Sequence, residues 1–153
     1  MAHADYLHSV WERVPVGLEP SDFARRREFV LRRLRAQRGQ GAEPLRVLDV
    51  GCGEGQFAGE LARAGMSVLG VDVTEEPLRR ARARHPGLDF RLVPVEGSWP
   101  LADASFDAVW AGETIEHVAD TVAWLSQLRR LLRSGGALLL STPAHERLAL
   151  LGL

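Results

Sequence analysis

Three glycines at alternate positions stand out in the stretch VLDVGCGEGQF, which follows a short apolar run beginning at Val47. Gly51, Gly53 and Gly55 lack Cβ atoms, so they can adopt positive φ and let a ligand approach the backbone closely. A helix that begins after them would offer unpaired N–H groups and the positive end of its dipole. The turn is therefore a candidate binding site, and it suits a carboxylate or a phosphate.

Two carboxylates narrow the class of ligand. Asp72 ends the second predicted strand, 21 residues after Gly51, where doubly wound folds hydrogen-bond a ribose diol. Asp49 precedes Gly51 by two residues, and its charge would repel a pyrophosphate but attract an ammonium or a sulfonium. The spacing G-x-G-x-G also differs from the G-x-G-x-x-G of dinucleotide sites. Electrostatics thus favours S-adenosylmethionine over NAD, with a generic nucleotide turn as the alternative.

A second group of reactive side chains lies in GETIEHVAD, after the fourth predicted strand. One helical turn could bring Glu113, Glu116 and His117 together. The imidazole of His117 suits proton removal from a hydroxyl nucleophile, and Glu113 is a second candidate proton acceptor. Two carboxylates and an imidazole would also suit Mg²⁺ or Mn²⁺, and a helix cap or loop brace is a third interpretation.

The elements that must position these residues alternate between strand and helix. Nearly continuous apolar runs predict strands buried on both faces: RVLDV, SVLGVD, FRLVPV, FDAVWAG and ALLLST. Amphipathic patterns predict helices at QFAGELARA, TEEPLRRARARH and DTVAWLSQLRRLL. This alternation predicts an α/β, Rossmann-like, doubly wound and mostly parallel sheet of about five strands with flanking helices.

Capping residues predict where the helices begin and end, and apolar stripes predict which helix face is buried. Thr74 and Asp120 are the predicted N-caps of the second and third of these helices. The third helix is predicted to place Val122, Leu125, Leu128 and Leu132 on one stripe and to end at Gly135.

The chain divides into two predicted parts. Residues 1–44 form an N-terminal segment whose arginine-rich helix, SDFARRREFVLRRLRAQ, is capped by Ser21 or Asp22. Residues 45–153 form the predicted core, in which only AHERLALLGL follows the fifth strand, as expected of a fold cut short at its C-terminus or of a compact natural version of it.

Length, composition and net charge limit the classes of function that the chain can have. The 153 residues fit one domain, and the net charge of −1 provides no global basic field for nucleic acid or an anionic membrane. The single cysteine, Cys52, suits a reducing compartment and is a small filler in a tight turn. No apolar run has the roughly 18–20 residues that span a bilayer. We expect a cytoplasmic protein.

Four blocks in order resemble a class I S-adenosylmethionine-dependent methyltransferase, of the type 11 and ubiquinone-biosynthesis-like groups. They are VLDVGCGEGQFAGELARAG, VLGVDVTEEPLRRAR, PLADASFDAVWAGETIEHVAD and LRRLLRSGGALLLSTP. The resemblance implies that Asp49 and the Gly51–Gly53 loop surround the methionine part of the cofactor. It also implies that Asp72 binds the ribose hydroxyls and that Val73 lies against the adenine, with the N-terminal helix as a lid.

One position departs from the family pattern. Relatives carry an acidic residue for the adenine amino group at the position of Val95, whereas here the acid is Glu96. The cofactor-binding residues expected from the resemblance are Asp49, Gly51, Cys52, Gly53, Asp72, Val73, Glu96, Gly97 and Trp110.

These observations predict methyl transfer from S-adenosylmethionine to a small or medium-sized acceptor, with His117 and Glu113 as catalytic candidates and no metal in the predicted site. Three alternatives stay open. A nicotinamide-dependent oxidoreductase would use the same turn. The E-x-x-E-H pattern resembles the metal site of small-RNA 3′-terminal 2′-O-methyltransferases, for which His145 is the only later histidine. A cofactor-binding domain without turnover is the third.

Overall fold

The computed structural model describes residues 9–20, 22–38 and 43–143. Its parallel strands are β1 (Arg46–Val50), β2 (Ser67–Asp72), β3 (Asp89–Leu92), β4 (Phe106–Gly112) and β5 (Leu132–Ser141). The helices after residue 20 are α1 (Phe23–Arg38), α2 (Gln56–Arg63), α3 (Glu75–Arg84) and α4 (Thr121–Leu131), with a 3₁₀ turn at Ile115–His117. The expected Ser21 cap and the segment after Pro143 lie outside the described residues, and the division at residue 44 stays a prediction.

The sheet has the strand order β3-β2-β1-β4-β5, and all its pairings are parallel. Leu48 in the central strand β1 pairs with Leu69 on one side and with Val109 on the other. The winding direction therefore reverses between β1 and β4, which opens a crevice at the carboxyl end of β1. The predicted doubly wound fold is confirmed, and the crevice coincides with the glycine turn.

Alternation along β1 sends successive side chains to opposite faces of the sheet. Val47 packs with Val30 and Leu34 of α1 on one face. Leu48 packs with Leu128 and other residues on the opposite face, which α4 covers. Both faces are covered, which explains why the strands read as nearly continuous apolar runs.

Two local predictions differ from the structure. β3 ends at Leu92 instead of running to Val95, because Pro94 has no N–H to continue the ladder. Thr74 occupies the N-cap position of α3, but its side chain makes no capping hydrogen bond. The Asp120 cap is confirmed, since its carboxylate accepts a hydrogen bond of 2.9 Å from the Ala123 amide.

The predicted stripe of α4 is wrong in part. Leu128 is buried as expected, but Val122 is 75% exposed and Leu125 is 38% exposed. The helix ends at Leu131, so Leu132 already belongs to β5, and Gly135 lies inside that strand. The buried face instead contains Trp124, Leu128 and Leu131, at spacings of four and three, because the large indole of Trp124 packs into the core beside them.

The corrected stripe predicts different costs for the same change at two leucines. Leu128→Ala should lower the free energy of unfolding by about 2–5 kcal/mol, because it leaves a cavity in the core. Leu125→Ala should cost less than about 1 kcal/mol, because that side chain is already part-exposed. Urea unfolding of both variants measures the difference, and equal losses would contradict the orientation of α4.

None of the helices in the described ranges combines the length and apolarity that a bilayer-spanning segment requires.

Candidate functional site

The glycine turn joins β1 to α2 in a conformation that requires glycine. Gly51, Gly53 and Gly55 have φ values of 66°, 53° and 77°, all in the left-handed region. The Gly51 amide donates a hydrogen bond of 2.9 Å to the Val71 carbonyl, which holds the turn against β2. A Cβ on Gly51 would lie 2.5 Å from Oγ1 of Thr114, so close packing as well as φ demands glycine there.

Asp72 links the end of β2 to this turn. Its Oδ2 accepts a hydrogen bond of 3.1 Å from the Gly53 amide, and its Oδ1 accepts one of 3.0 Å from the Thr74 amide. Burial raises the pKa of Asp72, and these amide bonds oppose the rise. A carboxylate has about four acceptor sites, so Asp72 keeps capacity to accept a hydroxyl group from a ligand.

Asp49 is the fourth residue of β1; its side chain meets the Ala58 amide in the first turn of α2, and it is only 2% exposed. Within the described residues, its Oδ2 has no hydrogen-bond partner. Burial raises the pKa of Asp49 to about 7; the Ala58 amide lowers it by a hydrogen bond, and the charge of Asp72 raises it. A buried carboxylate oxygen without a partner is costly unless a cation or a donor reaches it. This oxygen is the clearest unmet group of the site.

A cavity of about 420 Å³ opens at the carboxyl ends of the strands. Apolar side chains, including Val73, Val93 and Trp99, line it beside the carboxylate of Asp72, and such walls fit a flat ring. Six residues predicted from the sequence line this cavity: Gly51, Asp72, Val73, Glu96, Gly97 and His117. Cys52 is buried within the turn, and Gly53 bonds to Asp72 beside the cavity.

Trp110 differs from its expected place. It is 1% exposed, and its ring packs 5.0 Å from that of Phe57 on the face that α1 and α2 cover. Strand alternation puts Trp110 on the same face as Ala108 and Val47, away from the cavity. It is therefore a core residue.

Glu113, Glu116 and His117 point to different partners. Glu113 has a φ of 54°, and its carboxylate accepts a hydrogen bond of 2.9 Å from the Ser141 hydroxyl. Glu116 accepts one of 3.4 Å from the Thr142 hydroxyl, whereas His117 lines the cavity. In the described ranges, no three metal-ligating side chains form a cluster, since the 3₁₀ turn begins only after Glu113. His145 lies outside those ranges.

Thr114 and Gln127 are among the cavity residues that the sequence did not predict. Thr114 lines it and donates a hydrogen bond of 3.1 Å to the Val50 carbonyl, which ties the end of β4 to that of β1. Gln127 lines it from α4 and donates to the Gly97 carbonyl at 3.0 Å. Thr114 follows a predicted strand end, so the positional argument used for Asp72 applies to it; Gln127 carries no such signal.

The cavity thus offers an apolar slot and a carboxylate for hydroxyls. Asp49, a buried carboxylate with an unmet oxygen, precedes Gly51 by two residues but does not itself line the cavity. This set suits a nucleoside that carries a cationic group. A family model described as "Methyltransferase domain" matches residues 48–140. The chain belongs to the S-adenosylmethionine-dependent methyltransferase family, as the resemblance implied.

Relatives and solved structures agree with this assignment. The chain is 41% identical over 133 residues to a "Probable S-adenosylmethionine-dependent methyltransferase" of Mycolicibacterium smegmatis, covering 86% of this chain and 50% of that protein. It is 37% identical over 127 residues to a ubiquinone biosynthesis O-methyltransferase of Dinoroseobacter shibae, covering 76% and 51%. A methyltransferase structure from Mesorhizobium loti matches with a TM-score of 0.62 and 31% identity, covering 72% and 52%. The chain spans about half the length of these proteins.

Proposed function

We propose that this chain binds S-adenosylmethionine at the carboxyl end of β1 and transfers its methyl group to a small-molecule acceptor. The observation that carries the proposal is the buried Asp49, whose Oδ2 lacks a partner in the described structure. The ammonium of the cofactor's methionine part would supply the missing positive charge, directly or through one water. A pyrophosphate would instead add negative charge next to a buried carboxylate.

The other expected residues would contact successive parts of the cofactor along the cavity. The hydroxyls of the ribose would bind Asp72, which already holds the turn through Gly53. The adenine would lie against Val73, with Glu96 and Gly97 at the cavity wall. Trp110 is left out of this site because its ring is buried in the core against Phe57 and does not line the cavity.

Next to the cofactor, Gly51 would lie against the methionine part, with Cys52 filling the turn behind it. Thr114 keeps the end of β4 close to Gly51. This close approach explains why the turn tolerates no side chain at that position.

The bound cofactor supplies a methyl group on a sulfonium, whose leaving thioether is neutral. The chain's contribution is then to align the acceptor, exclude water and remove a proton. His117 lines the cavity and is our proposed proton acceptor. Glu113 is bonded to Ser141 and faces α1, so we assign it to positioning instead.

The chemical class that we propose for the methyl acceptor rests on the names of the relatives that the chain matches. One of them is named a ubiquinone biosynthesis O-methyltransferase, which supports a small molecule with a hydroxyl as the acceptor. We favour this over RNA because the metal-dependent alternative needs side chains that do not cluster in the described ranges. A cytoplasmic location completes the proposal and is supported by the single, buried Cys52.

Ligand binding tests the proposal. S-adenosylhomocysteine at about 100 times its Kd should raise the Tm by roughly 5–10 °C, and NADH at the same concentration should not. Binding of NADH alone would overturn the cofactor assignment. Release of S-adenosylhomocysteine from S-adenosylmethionine in the presence of small hydroxyl-bearing acceptors tests turnover, and binding without turnover on any acceptor would favour a silent cofactor-binding domain.

A further inference from the structure

The backbone before α1 lies against the glycine turn. We call residues 9–20 the N-terminal strap. The ring of Trp11 is 3.0 Å from the point where a Cβ on Gly53 would stand. The Gln56 side chain donates a hydrogen bond of 3.1 Å to the Leu18 carbonyl, at the other end of the strap. The strap therefore lies against the turn at Gly53, one of the residues expected to surround the methionine part of the cofactor.

A buried carboxylate of the turn itself holds the strap. Glu54 is only 2% exposed, and it accepts a hydrogen bond of 2.7 Å from the Gly17 amide. Its carboxylate also pairs with Arg80 at 3.0 Å and lies 3.6 Å from Arg84. A buried charge of this kind persists only with such partners, so the strap and α3 are joined through the turn.

Arg80 completes the link from the other side. Its guanidinium donates hydrogen bonds of 2.9 Å to the Val14 carbonyl and 3.1 Å to the Trp11 carbonyl. The same group pairs with Glu54 and, at 2.7 Å, with Glu76 of its own helix. One side chain thus satisfies two strap carbonyls and a carboxylate of the glycine turn, which a planar fork of five donors allows.

We infer that Arg80 is a positioning residue that clamps the strap over the glycine turn, so that Trp11 closes the cofactor site. The inference rests on the proposed function. Because Glu54 belongs to the turn and contacts both Arg80 and the strap, closure of the strap and binding of the cofactor favour each other. By linkage, the factor by which closure tightens cofactor binding equals the factor by which the cofactor stabilises closure.

Paired variants of neighbouring arginines test this role. Arg80→Met keeps the aliphatic stem but removes the donors to the strap. Arg79→Met is the matched control, because Arg79 also bonds to Glu76, at 2.8 and 2.9 Å, but is 66% exposed. Calorimetry with S-adenosylhomocysteine gives the Kd, and hydrogen exchange of peptides covering residues 9–20 reports strap closure.

Arg80→Met should weaken S-adenosylhomocysteine binding on the order of tenfold, as typical coupling energies allow, and should speed exchange in the strap. Arg79→Met should match the wild type in both measurements. In the wild type, S-adenosylhomocysteine should slow exchange in the strap. Wild-type affinity or wild-type exchange in Arg80→Met would overturn the inference.

Two further variants test the inference if Arg80→Met fails to fold. Arg80→Lys keeps the charge beside Glu54 but cannot reach all the acceptors, so we expect intermediate affinity. Trp11→Ala leaves the clamp in place and should weaken binding while the Gly17 amide stays protected; unchanged affinity would overturn the inference. If the wild type binds no S-adenosylhomocysteine, the proposed function fails first. The role in closing the cofactor site then falls with it, whatever the exchange data show.

Discussion

Replacement of Asp49 with asparagine is expected to weaken S-adenosylhomocysteine binding on the order of tenfold or more at pH 8, since hydrogen bonds to charged groups contribute about 1.5–3 kcal/mol. The change removes the negative charge that would face the ligand's ammonium. It leaves the shape of the site nearly unchanged, because the two side chains are isosteric. Calorimetry at pH 8 measures the loss, and wild-type affinity in the variant would contradict the assignment of Asp49.

The same variant is expected to raise the Tm of the ligand-free protein at pH 8. Burial raises the pKa of Asp49 from about 3.8 to about 7, so the folded state holds this proton more tightly than the unfolded state. The stability of the wild type therefore falls as the pH rises from about 4 to about 7, by up to about 4 kcal/mol. The asparagine side chain does not titrate, so the variant's advantage should be greatest above pH 7 and shrink toward pH 4.

Asp107→Asn is the control for this experiment. Asp107 is only partly buried, and it pairs with Arg133 and with the Arg46 amide at the opposite end of the sheet. Its variant should lose some stability and keep wild-type ligand affinity. A rise in Tm for both variants, or for neither, would contradict the interpretation that the buried charge of Asp49 destabilises the ligand-free protein because no positive group compensates it.

A methyl group on Gly51 is expected to abolish detectable S-adenosylhomocysteine binding and to lower the free energy of unfolding by about 2–5 kcal/mol. About 1–2 kcal/mol comes from the left-handed backbone and about 1–3 kcal/mol from overpacking against Thr114. Gly135 has a similar φ, 76° against 66°, but a Cβ there meets nothing within 4 Å. Gly135→Ala should therefore cost only the backbone part and leave binding unchanged.

Thr114→Ala in the Gly51→Ala background separates the two terms. It removes Oγ1 and Cγ2, which would lie 2.5 and 3.0 Å from the new methyl group. Part of the lost stability should return, although the hydrogen bond from Thr114 to the Val50 carbonyl is lost as well. Thermal unfolding and calorimetry measure both effects. Equal losses in Gly51→Ala and Gly135→Ala would show that the contact with Thr114 is unimportant.

Much of the fold was predictable because it depends on local patterns. Apolar runs such as RVLDV predict strands buried on both faces, and the alternation with helices then permits few topologies. Gly51 and Gly53 were recognisable because tight turns with positive φ favour glycine. Asp72 was recognisable because a parallel sheet gathers its strand ends at one edge, and the structure places it at the glycine turn.

The remaining features depend on which distant elements pack together, and no local pattern records that. From the sequence alone, either face of β4 could have met the cavity. The assembled fold places the face that carries Trp110 under α1 and α2. Leu131 of α4 is buried beside Trp124 while Leu125 is part-exposed, and the chain's own periodicity did not distinguish the two. Periodicity in the chain determines which residues share a face, but only the assembled sheet determines what that face meets. For the same reason, the link from Glu54 to Arg80, and from both to the strap, is visible only in the tertiary structure.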